Sequence, residues 1–191
     1  MWRYDPRRQS MPHDSWAYVL ALYGHPLSAQ VIGDKYFSLM EFLARPESGI
    51  EERMKVFVGK GPRQHVSRFI RYLDYEDLIP PAKSNLSMIV AKIVAERESF
   101  FVSFFNESIP ITPRLHQLEL LPGIGKKTLI KILEERRKLP FVSFMDIEER
   151  VGLKDPAGAI VERVLMEIRG EDRYNIFVAT KSMFERKYSI I

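Results

Sequence analysis

The apolar positions of this chain change their rhythm near residue 80. Before that point they come in short runs cut by glycine and proline, the mark of strands joined by tight turns. Trp16 to Tyr23 is an aromatic and aliphatic run ended by Gly24 and Pro26. Val31-Ile32-Gly33-Asp34 reads as a turn into a second run, Tyr36 to Leu43, which Pro46 and Gly49 break. Lys55 to Val58 gives a further strand, and Gly59-Lys60-Gly61-Pro62-Arg63 a turn. Val66 to Leu73 fits a helix or a strand. Closely spaced short strands with Gly/Pro turns predict a small β-barrel over residues 15–80, OB-like as first choice and SH3-like as the close alternative. Trp16, Phe37 and Phe57 are expected in its core.

Pro80-Pro81 marks the predicted domain boundary. Beyond it the apolar period becomes helical. Leu86, Ile89, Val90, Ile93, Val94, Phe101, Phe104 and Phe105 predict one helix over 84–106, capped by Ser84 or Asn85. Its phenylalanine pairs are expected to be core. Thr112, with Pro113 in first position, is placed to cap a next short helix carrying Leu115, Leu118 and Leu121. Pro122-Gly123 breaks that helix, and Leu129, Ile130, Ile132 and Leu133 restart helical spacing. Ser143 is placed to cap a further short helix. After a break at 151–156, Ile160, Val161, Val164, Leu165 and Ile168 give another helix. Tyr174 to Ala179 reads as a short strand or extended end. The fold class is therefore α+β, with a flexible arm (1–14), a barrel domain (15–80), a helical domain (82–179) and a C-terminal tail (180–191).

The most informative stretch is Leu121-Pro122-Gly123-Ile124-Gly125-Lys126-Lys127-Thr128. Two glycines around one apolar residue let the backbone take positive φ and come close to a ligand. A helix starts there, with unpaired amides and the positive end of its dipole outward. That geometry suits phosphate.

At these residues the chain resembles the helix-hairpin-helix family of nucleic-acid-binding motifs. The resemblance implies a sequence-independent grip on one backbone phosphate. The amides of Gly123, Ile124, Gly125, Lys126 and Lys127 would form the cradle, with Thr128 the next residue of the binding site. Lys126 and Lys127 would supply charge, and Ile124 would anchor the turn inward. It also implies a monovalent cation on the backbone of Leu121, Gly123 and Ile124. The break at 151–156 resembles the degenerate partner hairpin of tandem helix-hairpin-helix domains. It lacks Gly-x-Gly and puts Asp155 where an anion would sit, so its expected role is packing.

Charge adds a second candidate surface. The net charge is +4, but the run from Arg53 to Leu73 holds Arg53, Lys55, Lys60, Arg63, Arg68 and Arg71 with no acidic residue. Lys60, Arg63, Arg68 and Arg71 are thus candidates for contact with a polyanion. The absence of cysteine excludes disulfides, zinc–thiolate sites and iron–sulfur clusters. No apolar run approaches the roughly 18 residues of a membrane span. A cytoplasmic protein without cofactor is the expectation. His13, His25, His65 and His116 are scattered without metal-ligand spacing. The hairpin also resembles that of endonuclease III-type DNA glycosylases, which would make Lys127 a Schiff-base lysine assisted by Asp146. The missing cluster cysteines and pocket-forming helical domain argue against that, and no enzyme activity is expected.

From barrel-like region through hairpin to degenerate hairpin, the chain resembles the archaeal domain-of-unknown-function 655 family, whose members are described in terms of RNA or nucleic-acid binding. That implies a nucleic-acid partner, RNA slightly before DNA. A protein–protein scaffold is the alternative.

Overall fold

The structure, a computed structural model, describes residues 13–185. The expected arm up to residue 12 and the tail beyond 185 lie outside the described residues. The chain divides into two compact units: residues 13–89 with 166–185, and residues 90–165. The division falls inside helix α1 (Pro80–Glu96), which Pro80 and Pro81 open. At that position a missing amide hydrogen costs nothing because the first-turn amides have no intrahelical acceptor.

In the first unit, β1 (Trp16–Tyr23) pairs with β2 (Ser28–Gly33) on one side and β4 (Lys55–Phe57) on the other. β3 (Leu39–Ala44) pairs with β2 and with β5 (Val66–Tyr72). All pairs are antiparallel, and the strand order is β4-β1-β2-β3-β5. The result is a curled five-stranded sheet whose edges are β4 and β5, so the expected barrel is realised as a half-barrel. Val19, Val31, Met40, Phe42, Val56 and Val66 form its buried core.

Several local expectations change. Val31 and Ile32 are strand, not turn, because Gly33 serves a different purpose. A Cβ there would collide with the Asp14 carboxylate, so the glycine permits a close approach inside a strand. Asp14, expected in the arm, is 3% exposed. It accepts hydrogen bonds from the Lys35 and Tyr36 amides and from Ser38 Oγ. Burial still raises its carboxyl above the usual range, against those hydrogen bonds. Phe37 is buried, but Trp16 is 46% exposed, resting edge-on against Phe57 at 5.3 Å. Asn85 does not cap a helix. It is buried within α1, where Nδ2 donates to Leu20 O (2.9 Å) and Oδ1 accepts from Arg53.

The chain re-enters this unit near the end of α5 (Pro156–Arg169). Glu167 accepts from the amides of Ile176, Phe177 and Val178, each at 2.9 Å, and fixes the extended segment that follows. Helix α6 (Lys181–Glu185) then lays Phe184 flat on Tyr72, ring centroids 3.8 Å apart.

In the second unit the expected single helix is two, α1 and α2 (Glu98–Glu107). The break is at Arg97, where φ is −117° and ψ 28°. Its guanidinium covers the Phe100 ring at 4.3 Å. Pro110–Thr112 is not a helix start but strand β6, paired with β7 (Leu115–His116). A one-turn 3-10 helix, Gln117–Leu120, follows. Then come α3 (Lys126–Lys138), α4 (Phe144–Val151) and α5. Phe101, Phe104 and Phe105 are buried. No helix among the described residues is long and apolar enough to cross a membrane.

Candidate nucleic-acid interface

The glycine turn is fixed from both sides. Upstream, His116 takes the role expected of Thr112. Its Nδ1 accepts the Leu118 amide at 3.1 Å, while Glu119 Oε2 accepts the His116 amide at 2.8 Å. This reciprocal pair satisfies two orphan donors at the start of the 3-10 turn. Leu118, Leu121 and Ile124 point inward and are buried. The Ile124 amide donates back to Leu121 O at 3.2 Å. Gly123 sits between them at φ +81°, a conformation that needs glycine.

Downstream, Leu129 and Ile132 bury one face of α3. Arg136 on the same helix caps the end of α2. Its Nη1 donates to Phe105 O (2.9 Å) and Ser108 Oγ (3.2 Å), and Nη2 to Ser108 O (3.0 Å). Burial first, and the Arg137 charge second, lower its pKa from the ordinary value.

Among the described residues, the start of α3 faces open space. Gly125 is its N-cap residue, with φ −87°, ψ −179° and no side-chain cap. Among the described residues, nothing lies within 4 Å of where a Cβ would stand on Gly123 or Gly125. The backbone at Gly125 suits any residue, so neither conformation nor packing among the described residues demands a glycine there. Lys126, Lys127 and Thr128 continue the first turn, whose amides lack intrahelical acceptors.

The two lysines differ. Lys126 Nζ is paired with Glu119 at 2.6 Å and donates to Arg114 O at 2.9 Å, so it staples α3 to the 3-10 turn. That hydrogen bond, then the one from the His116 amide, holds the Glu119 carboxyl below its usual range. Lys127 is exposed and forms no ion pair among the described residues. Lys131, one turn on, places Nζ 3.9 Å from the Cβ position of Gly152.

The second turn has the same skeleton but a filled end. Gly152 repeats the left-handed conformation at φ +77°, and Leu153 is buried. Asp155 then precedes α5. Its Oδ1 accepts the Gly158 amide at 2.8 Å and its carbonyl accepts the Ala159 amide at 3.1 Å. A Cβ on residue 158 would collide with that carboxylate. The protein's own anion thus occupies the start of α5.

The two residues of the lyase resemblance, Lys127 and Asp146, stand in different surroundings. Asp146 accepts from Arg150 Nη1 and from the Val142 amide, both at 3.1 Å. Arg150 also donates to Glu135 O and Leu139 O, so Asp146 belongs to the joint between α3 and α4. Lys127 lies in water, not in the desolvated setting a nucleophilic lysine needs. Among the described residues no group of His, Asp or Glu could hold a metal ion.

In the sheet unit the four basic candidates separate. Arg71 is neutralised by Glu41 and Asp77, both at 2.9 Å. Arg63 folds back, Nε to Gly59 O (3.0 Å) and Nη1 to Ser67 O (3.2 Å), with its guanidinium 5.3 Å over the Phe42 ring. Lys60 and Arg68 are exposed without ion pairs among the described residues. Sequence reasoning missed the exposed Phe69, 37% accessible beside them on β5. The signal was an aromatic flanked by arginines on a segment whose period was ambiguous.

A curled antiparallel sheet joined to a helical unit with two glycine turns defines an α+β protein of one recognisable type. The profile of the family "Protein of unknown function (DUF655)" matches residues 16–179, and the chain belongs to that family. It is similar to the uncharacterized protein MJ0038 of Methanocaldococcus jannaschii, 40% identical over 188 residues, covering 94% of this chain and 86% of that protein. It is also similar to the crystal structure of Af1531 from Archaeoglobus fulgidus, assigned to the same family. There the TM-score is 0.77 and the identity 42%, with 87% of this chain and all of the other covered.

Proposed function

We propose that this protein binds nucleic acid without regard to sequence, RNA slightly before DNA, and grips a backbone phosphate at a helix-hairpin-helix turn. The observation that carries the reading is the contrast between two similar turns. The start of α5 is closed by Asp155, whereas the start of α3 is uncapped, glycine-lined and open. A phosphate would accept from the first-turn amides and interact with the helix dipole. Lys127 would add charge directly, and Lys126 would hold the turn in shape. A monovalent cation on the carbonyls of Leu121, Gly123 and Ile124 belongs to this proposal. Leu121 O accepts one amide and keeps a second lone pair. The half-barrel, read as OB-like, would add a second surface through Lys60, Arg63 and Arg68, with Arg71 held out of it by its carboxylates.

The experiment is the salt dependence of binding to a duplex and to a single strand. Each neutralised phosphate contributes a slope of about 0.9 on duplex DNA and about 0.7 on single strands. Alanine at both Lys126 and Lys127 is expected to lower the slope by roughly one to two units and to weaken all sequences alike. A folded double variant with unchanged slope would remove the turn as the phosphate site. The scaffold reading has one observation in its favour. Ile130, Leu139, Val142 and Met145 in the helical unit are 56–78% exposed. Failure of the parent to bind any nucleic acid at low salt would promote it.

A further inference from the structure

The half-barrel carries a cleft of about 170 Å³. Its apolar wall is a row of rings in fixed contact. Phe69 meets Phe42 edge-on at 5.4 Å and Tyr72 at 4.9 Å, and Phe184 backs Tyr72. Phe69 stands on the edge strand β5 with part of its ring in solvent.

The charge around the cleft is one-sided. Lys60 and Arg63 line it. The two backbone carbonyls that hold Arg63 fix its plane without cancelling its charge. Arg68 lies exposed next to Phe69 in the chain. The acid in the lining is Asp14, and its carboxylate is committed to two amides and Ser38. Arg71, which its carboxylates neutralise, is not among the lining residues. The volume is below the roughly 300–1,000 Å³ of pockets for drug-sized ligands. It suits one flat ring system, not an extended apolar ligand. Planar aromatic and guanidinium groups beside uncompensated positive charge are the chemistry that holds an unstacked base.

We propose that this cleft takes one unpaired nucleobase, with the adjoining phosphate held by Lys60 and Arg63. The inference rests on the nucleic-acid reading above and assigns a base site distinct from the phosphate turn. The shared ligand chemistry is a heterocycle bearing a phosphate. A polymer strand is one source of it and a free nucleotide the other.

The test compares the full chain binding a twelve-nucleotide uridine strand with its binding of an abasic strand of equal phosphate count, and adds UMP as a third probe. The bases are expected to improve affinity about 5- to 150-fold. That is the roughly 1–3 kcal/mol of one stacked base at 1.4 kcal/mol per tenfold. Phe69→Ala or Phe69→Leu is expected to erase most of that ratio, Phe69→Tyr to keep it. Lys127→Ala is expected to weaken both strands alike and leave the ratio intact. Lys60→Ala, on an exposed loop, serves if the Phe69 variants unfold, and is expected to weaken the uridine strand more than the abasic one. UMP binding that needs Phe69, without any strand preference, supports the cleft and assigns it to free nucleotide. If neither strand binds but UMP does so through Phe69, the phosphate reading fails and the base site stands. A base preference that survives both Phe69→Leu and Lys60→Ala, or no preference and no UMP binding, overturns the proposal. Self-association lost in Phe69→Leu with no nucleotide effect would give the cleft to a second copy of the chain and overturn it as well.

Discussion

Gly125→Asp separates stability from binding at the start of α3. Residue 125 is the N-cap, its φ and ψ are −87° and −179°, and a Cβ there meets nothing within 4 Å among the described residues. Aspartate is among the preferred N-cap residues and improves on glycine by a few tenths of a kcal/mol. Its charge at the helix start adds about 0.3–1 kcal/mol. The variant should therefore be more stable by roughly 0.5–1 kcal/mol, which raises Tm by about 1–4 °C for a chain of this size. Its α3 then copies the self-capped α5. The carboxylate takes the amides a phosphate would use and repels that phosphate, so affinity should fall and the salt slope should drop by about one unit. Gly123→Ala is the control in the opposite sense. The left-handed backbone at φ +81° strains any L side chain, at a cost of about 1–2 kcal/mol. Melting curves and fluorescence anisotropy at several salt concentrations read both quantities. A Gly125→Asp protein that melts lower would show that the N-cap geometry is wrong. One that melts higher yet binds as tightly as the parent would show that the phosphate goes elsewhere.

The remaining expectations follow from the same geometry. Asp155→Gly removes the built-in anion from α5 and relieves its backbone at φ +51°; affinity and salt slope should rise, measured in the same anisotropy series. Arg136→Ala leaves the end of α2 uncapped and should cost about 1.5–3 kcal/mol, read from the denaturation midpoint. His116 titrates below its ordinary value, chiefly through burial and then through the Arg136 charge, and its neutral ring leaves Nδ1 free to accept the Leu118 amide. A depressed folded pKa means that its contribution is complete above about 6.5 and is lost as pH falls from there through the folded value. Glu119, also lowered, loses its contribution as pH falls from about 4.3. The glycine turn should thus loosen in two acid stages, seen as amide exchange at Leu118 and Ile124; His116→Asn should remove the first stage and keep the second.

Much of this architecture is written in local pattern. The strand Trp16–Tyr23, the helix after the glycine turn and the Ser143 cap follow from apolar period and capping chemistry, and Ser143 Oγ does accept the Asp146 amide at 3.0 Å. The errors came from residues whose partners are distant in sequence. Gly33 looks like a turn residue because nothing nearby reveals that Asp14 fills its space. Val66–Tyr72 has no clean alternation because an edge strand with irregular register leaves Arg68 to Arg71 exposed. The break at Arg97 carries no glycine or proline, so the period runs through it unmarked. At the turn, the glycines, Ile124 and the anion at Asp155 were legible. The division of labour between Lys126 and Lys127 was not, because it depends on Glu119 reaching across the turn.

On this reading the uncapped start of α3 holds a phosphate and the start of α5 does not. Amide chemical shifts of the full chain, ¹⁵N-labelled and titrated with a short duplex and a short single strand at low salt, address it directly. The largest changes are expected at Gly125, Lys126, Lys127 and Thr128, reversed by added salt, with Ala157, Gly158 and Ala159 unmoved. Equal changes at both helix starts, or none at Gly125 to Thr128 while the strand is bound, would contradict it.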